Sequence, residues 1–99
     1  MDSINKNLKA IQELCAKHKV AKLFVFGSIL TPKFSEQSDV DLLVDFQKID
    51  IMSYADNYFN FKNALENIFK RKVYLLENQS VKNTFLRASI DESKIKVHG

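Results

Sequence analysis

An α/β domain of the α+β kind, a small mixed sheet flanked by helices, is the fold class this sequence predicts. Three observations predict it. Stretches of helical apolar spacing alternate with short β-branched and aromatic runs, in the order α-β-β-α-β-α. The chain has 99 residues, enough for one domain spanning 1–99 and too few for two. Its composition of 45% hydrophobic, 11% aromatic and 27% charged residues suits one packed core and excludes intrinsic disorder, collagen-like repeats and low complexity.

From Ile4 to His18 the residues Ile4, Leu8, Ile11, Leu14 and Cys15 recur at helical spacing, with Asp2 or Ser3 as the cap. Val20 to Phe26 is short, aromatic and β-branched and stops at Gly27, which predicts a strand. Ile29 to Gln37 carries Pro32 among small polar residues and reads as a loop with one helical turn. Asp39 to Phe46 alternates: Val40, Leu42, Val44 and Phe46 share one face, and Asp39, Asp41, Leu43 and Asp45 the other. Helical spacing returns from Ser53 to Arg71 through Ala55, Tyr58, Leu65, Ile68 and Phe69, with Ser53 and Asp56 as a capping box. Lys72 to Glu77 predicts a third strand, Ser80 to about Glu92 a last helix, and Ile95 to His98 a short edge strand.

Several function classes are excluded or disfavoured by the same residues. Cys15 is the only cysteine, so no disulfide framework exists. A lone thiol and the absence of an apolar leader in Met1–Lys6 lead us to expect a cytoplasmic protein. No apolar run approaches the ~18 residues of a membrane span, so no membrane partner is expected. Net charge is +3; Lys17, Lys19 and Lys22, and Lys70-Arg71-Lys72, read as solvated ends of elements rather than a nucleic-acid surface. His18 and His98 have no companions at metal-ligand spacing. Tyr54, Tyr58, Phe59 and Phe61 crowd three sides of one helix, and any that stay exposed would mark a protein-partner surface.

One stretch carries chemistry. A strand ends at Gly27-Ser28, ten residues intervene, and Asp39-x-Asp41 opens the next strand. Gly27 lets a phosphate approach the backbone and permits positive φ. Ser28 offers a hydroxyl and turn N–H groups to an anionic oxygen. Asp39 and Asp41 stand two apart, so a strand turns both carboxylates to one side, which suits Mg²⁺ shared with substrate phosphates. Four such specified positions arise by chance in roughly one chain of this length in a thousand.

This constellation resembles the signature of the polymerase-β-like nucleotidyltransferase superfamily, and the order of elements is similar to its smallest branch, the minimal nucleotidyltransferases. The resemblance implies that a nucleoside monophosphate passes from a nucleoside triphosphate, taken as ATP, to a hydroxyl with release of pyrophosphate. Gly27 and Ser28 would contact the triphosphate, and Asp39 and Asp41 would be the catalytic metal ligands for Mg²⁺. Minimal members often pair with a HEPN-type ribonuclease toxin, which they modify with AMP as antitoxins. That makes a HEPN toxin the expected partner, with homo-oligomerisation compatible.

Two positions depart from the pattern. Where relatives carry a third carboxylate, in a segment of the type Arg-Lys-Val-Asp-Leu, this chain reads Arg71-Lys72-Val73-Tyr74-Leu75. A phenol titrating near about 10 is a poor replacement as ligand or base. Glu77, three residues on, falls on the opposite strand face, and Asp45 lies about 13 Å from Asp41 along its strand. Ile29 stands where many relatives have Arg. Two alternatives follow: a pseudo-enzyme with this fold that acts by binding its partner, or a small nucleic-acid-binding domain.

Overall fold

A computed structural model describes residues 2–35 and 37–99. Along the chain run α1 (Asp2–Lys6), α2 (Leu8–Lys17), β1 (Val20–Phe26), a 3-10 turn (Gly27–Leu30), β2 (Val40–Phe46), α3 (Ile51–Phe69) and β3 (Val73–Glu77). A second 3-10 turn (Asn78–Ser80), α4 (Thr84–Ser93) and β4 (Ile95–His98) complete it. The strands form one mixed sheet in the order β3-β2-β1-β4. β1 is antiparallel to both β2 and β4, whereas β2 and β3 are parallel. A parallel pair needs a crossover, and α3 supplies it.

Period-two alternation makes this sheet two-faced. One face presents Leu23 and Val25 of β1, Val40, Leu42 and Val44 of β2, and Val73 and Leu75 of β3. Against it pack Ile4, Ile11 and Cys15 of α1 and α2, and Phe61, Leu65 and Phe69 of α3. Each such fully buried side chain contributes about 1.5–3 kcal/mol of transfer free energy. The opposite face is covered only in part, where Ile90 of α4 seals Phe26 and Leu43. Asp41 and Tyr74 lie beyond that cover, at one end of β2 and β3.

Some boundaries differ from those expected of the sequence. The first helix is interrupted at Asn7, whose side-chain amide donates to the Ser3 carbonyl at 2.8 Å. α3 begins earlier than Ser53: Asp50 is its cap, with the Met52 N–H donating to it at 3.4 Å. Its Lys70 end takes the left-handed conformation, φ 58°. α4 starts at Thr84 rather than Ser80, because Asn78–Ser80 form the 3-10 turn and Asn83 accepts from the Leu86 N–H at 2.9 Å.

The isolated polar residues prove structural. His18 is buried beside Phe61 with Nδ1 2.9 Å from the Leu14 carbonyl oxygen. His98 Nε2 stands 3.2 Å from the Val20 carbonyl oxygen. Burial pushes the Cys15 thiol up to about 12. No helix among the described residues is long and apolar enough to cross a membrane.

Candidate active site

β1 and β2 bring the Gly-Ser turn onto the aspartates because their register pairs Phe26 with Asp41. The chain then turns sharply at Gly27, φ 79°, a conformation that costs other residues strain. Proximity forbids a side chain there as well. A Cβ on Gly27 would overlap Oδ2 of Asp41 and stand 3.1 Å from its Cγ. Gly27→Ala is therefore expected to destabilise the fold by about 1–3 kcal/mol and to displace the Asp41 carboxylate. Urea denaturation checks it; an unchanged midpoint would show that the turn relaxes at no cost.

The turn also holds Asp41 electrostatically. Burial raises the Asp41 carboxyl above its ordinary value, the charge of Asp39 raises it further, and a Ser28 backbone hydrogen bond pulls it back. The Ser28 carbonyl in turn accepts from the Thr31 hydroxyl at 2.8 Å and the Thr31 N–H at 2.9 Å. Gly27, Ser28 and Asp41 are thus brought together, with Asp39 exposed just before β2 and close enough to repel Asp41.

Tyr74 stands directly beside Asp41 in the parallel β2–β3 register, one strand spacing of about 4.8 Å away. It is 53% exposed. The other acids are committed elsewhere. Glu77 accepts from the Tyr54 hydroxyl, whose proton is retained because burial and Glu77 both push that phenol up. Asp45 accepts from the Asn78 side-chain amide at 3.0 Å, and Asn78 is tied by its Oδ1 to Arg87 at 2.6 Å. Among the described residues no group of three or more His, Cys, Asp or Glu is placed to hold a metal.

Two supporting residues escape sequence reading. Arg71 belongs to a basic triplet that reads as solvated, yet its guanidinium donates to the carbonyls of Ser35 and Ser38 at 2.6 and 3.1 Å. It also covers the Phe34 ring at 4.5 Å. The loop leading to Asp39 is thereby strapped to the start of β3. Tyr58 of α3 donates to the Leu75 carbonyl, fixing the outer edge of β3. A lone basic residue or a tyrosine in a helical stripe gives no sequence signal for either contact.

The strand ending in Gly-Ser lies against the Asp-x-Asp of its antiparallel neighbour, in a domain of the nucleotidyltransferase class. The chain belongs to the polymerase beta nucleotidyltransferase family, which it matches over residues 9–98. It is 32% identical, over 93% of this chain and 99% of the relative, to a candidate protein adenylyltransferase of Methanocaldococcus jannaschii. Its fold is similar to a solved structure described as a minimal nucleotidyltransferase, with a TM-score of 0.76 and 26% identity over 95% of this chain and 92% of that one. A chain in the complex of a tri-AMPylated Shewanella oneidensis HEPN toxin with an MNT antitoxin shares the fold, with a TM-score of 0.65 and 18% identity over 96% and 71% of the two chains.

Proposed function

We propose that this chain binds Mg²⁺ and a nucleoside triphosphate, ATP, and transfers the adenylyl group to a hydroxyl of a partner protein of the HEPN toxin type, acting as its antitoxin. The observation that carries this reading is the closure of the Gly27–Ser28 turn onto Asp41. It juxtaposes a phosphate-accepting backbone with a carboxylate already destabilised by burial and by Asp39. The protein-adenylyltransferase relative and the AMPylated-toxin complex supply the class of acceptor. Ile51 and Met52, each 85% exposed, and Phe59, 55% exposed, offer an apolar strip on α3 for such a partner.

The donor set fits one Mg²⁺. Two hard carboxylates that repel each other at one sheet end accept a divalent cation favourably, with phosphate oxygens completing its shell. Asp39 and Asp41 would hold the ion, which would supply charge neutralisation and orientation to the phosphates. Gly27 gives up its side-chain space to the Asp41 carboxylate, and the backbone of the turn and the Ser28 hydroxyl would offer the triphosphate hydrogen bonds. What the site lacks is a third carboxylate at position 74 to take the acceptor's proton. Transfer by the chain as it stands is therefore slow, and Tyr74 favours a second reading in which the fold acts by binding its partner alone.

Calorimetric titration with ATP, with and without Mg²⁺, tests the proposal. Binding that requires Mg²⁺ is expected; its absence under both conditions would overturn the proposal and leave the partner-binding and nucleic-acid-binding alternatives. Mass measurement of a cognate partner after incubation then separates slow transfer from none.

A further inference from the structure

We propose that Tyr74 is itself an adenylyl acceptor, so that the chain modifies its own site. The proposal rests on the nucleotide-binding reading above and extends it to a substrate hydroxyl already in place. Tyr74 is the register partner of Asp41, on the sheet face that α4 leaves uncovered. A phenol carries its oxygen on the far side of a ring, whereas a carboxylate at the same position would end on the near side. With the ring turned toward Asp41, the Tyr74 oxygen would reach past the third-acid position, toward the space where an acceptor hydroxyl would stand.

The other two tyrosines cannot compete. Tyr54 and Tyr58 lie partly buried beneath α3, donating to Glu77 and to the Leu75 carbonyl. Tyr74 makes no hydrogen bond among the described residues and is 53% exposed. Its phenol lies close enough to Tyr58 to push that group up. A χ1 rotation at the free edge of the sheet carries it between that position and the space over Asp41. Tethering replaces a bimolecular encounter with an intramolecular one, which offsets the lack of a strong base.

The step balances without a further reactant. The Tyr74 Oη attacks the α-phosphorus of ATP and forms an Oη–P bond. The bond from that phosphorus to the bridging oxygen breaks, and pyrophosphate leaves with the electron pair. The phenolic proton passes to solvent at the exposed edge. The product carries AMP on the strand beside Asp41 and blocks the acceptor position, so each molecule turns over once and then loses transfer to any partner.

The test uses the whole chain with ATP and Mg²⁺ and no partner, followed by intact mass and tryptic mapping. Trypsin separates Val73–Lys82, which holds Tyr74, from Ile49–Lys62, which holds Tyr54 and Tyr58. One adenylyl group on Tyr74 is expected, at a rate independent of protein concentration. Tyr74→Phe and Asp41→Asn should each remove it. A chain that binds ATP calorimetrically yet gains no mass overturns the proposal and leaves the nucleotide-binding reading standing. An adduct on Ser80, Tyr54 or Tyr58, or a rate that rises with protein concentration, overturns it too. A chain that neither binds ATP nor gains mass overturns both.

Discussion

Asp41→Asn is expected to weaken Mg²⁺-dependent nucleotide binding and adenylyl transfer about a hundredfold or more, while making the metal-free protein more stable. The loss would follow from removing one of the two carboxylates proposed to hold the cation, whose charge stabilisation is worth several kcal/mol. The gain has the opposite origin. Burial and the neighbouring Asp39 both disfavour the ionised Asp41 carboxylate in the folded chain. An acid whose folded pKa lies above its unfolded value costs stability wherever both states are ionised. That cost disappears as the pH falls below the unfolded value. The variant should therefore melt higher than the parent at neutral pH in EDTA, and its advantage should shrink on acidification toward about pH 4. Asparagine keeps an oxygen to accept the Ser28 backbone hydrogen bond, so the turn has no reason to open. A variant that melts lower and binds nucleotide normally would make Asp41 a structural anchor of the turn.

Tyr74→Asp should raise transfer to a partner protein by about 10²–10⁴-fold, the usual range for a positioned general base. The β2–β3 register sets the new carboxylate beside Asp41 at the same end of the sheet. It also adds a third like charge there, so the metal-free variant should be less stable than the parent and recover on adding Mg²⁺. Mass spectrometry of the partner and melting curves with and without Mg²⁺ read both effects. A parent chain that already modifies its partner as fast as the variant would show that position 74 needs no acid.

Much of this arrangement is legible in the sequence because strands announce themselves through alternation and glycine. β1 and β4 coincide with the expected Val20–Phe26 and Ile95–His98, and β2 begins one residue after Asp39. The Gly27–Ser28 turn and Asp41 meet as their spacing implies. Helix starts are less visible, since Asp50 and Asn83 act through side-chain hydrogen bonds that compete with equally plausible Ser and Asp neighbours. The aromatic crowd on α3 resolves into three roles that composition cannot separate. Phe61 is buried, Tyr54 and Tyr58 are tied to β3, and Phe59 is exposed. Long-range bonds such as that of Arg71 to the Ser35 and Ser38 carbonyls, across more than thirty positions of chain, leave no local trace.

The order β3-β2-β1-β4 places β3 at an edge, paired on one side only. Gly27, Ser28 and Asp41 are held by the antiparallel β1–β2 pairing, and position 74 by the parallel β2–β3 pairing that must close around all of α3. The two halves of the site therefore belong to different cooperative units. Local opening that peels β3 from the sheet costs less than global unfolding, and it carries position 74 away while the Gly27–Asp41 half stays assembled. Amide exchange in Val73–Glu77 should accordingly outpace that in Leu23–Phe26. Position 74 can breathe while the turn over Asp41 remains shut.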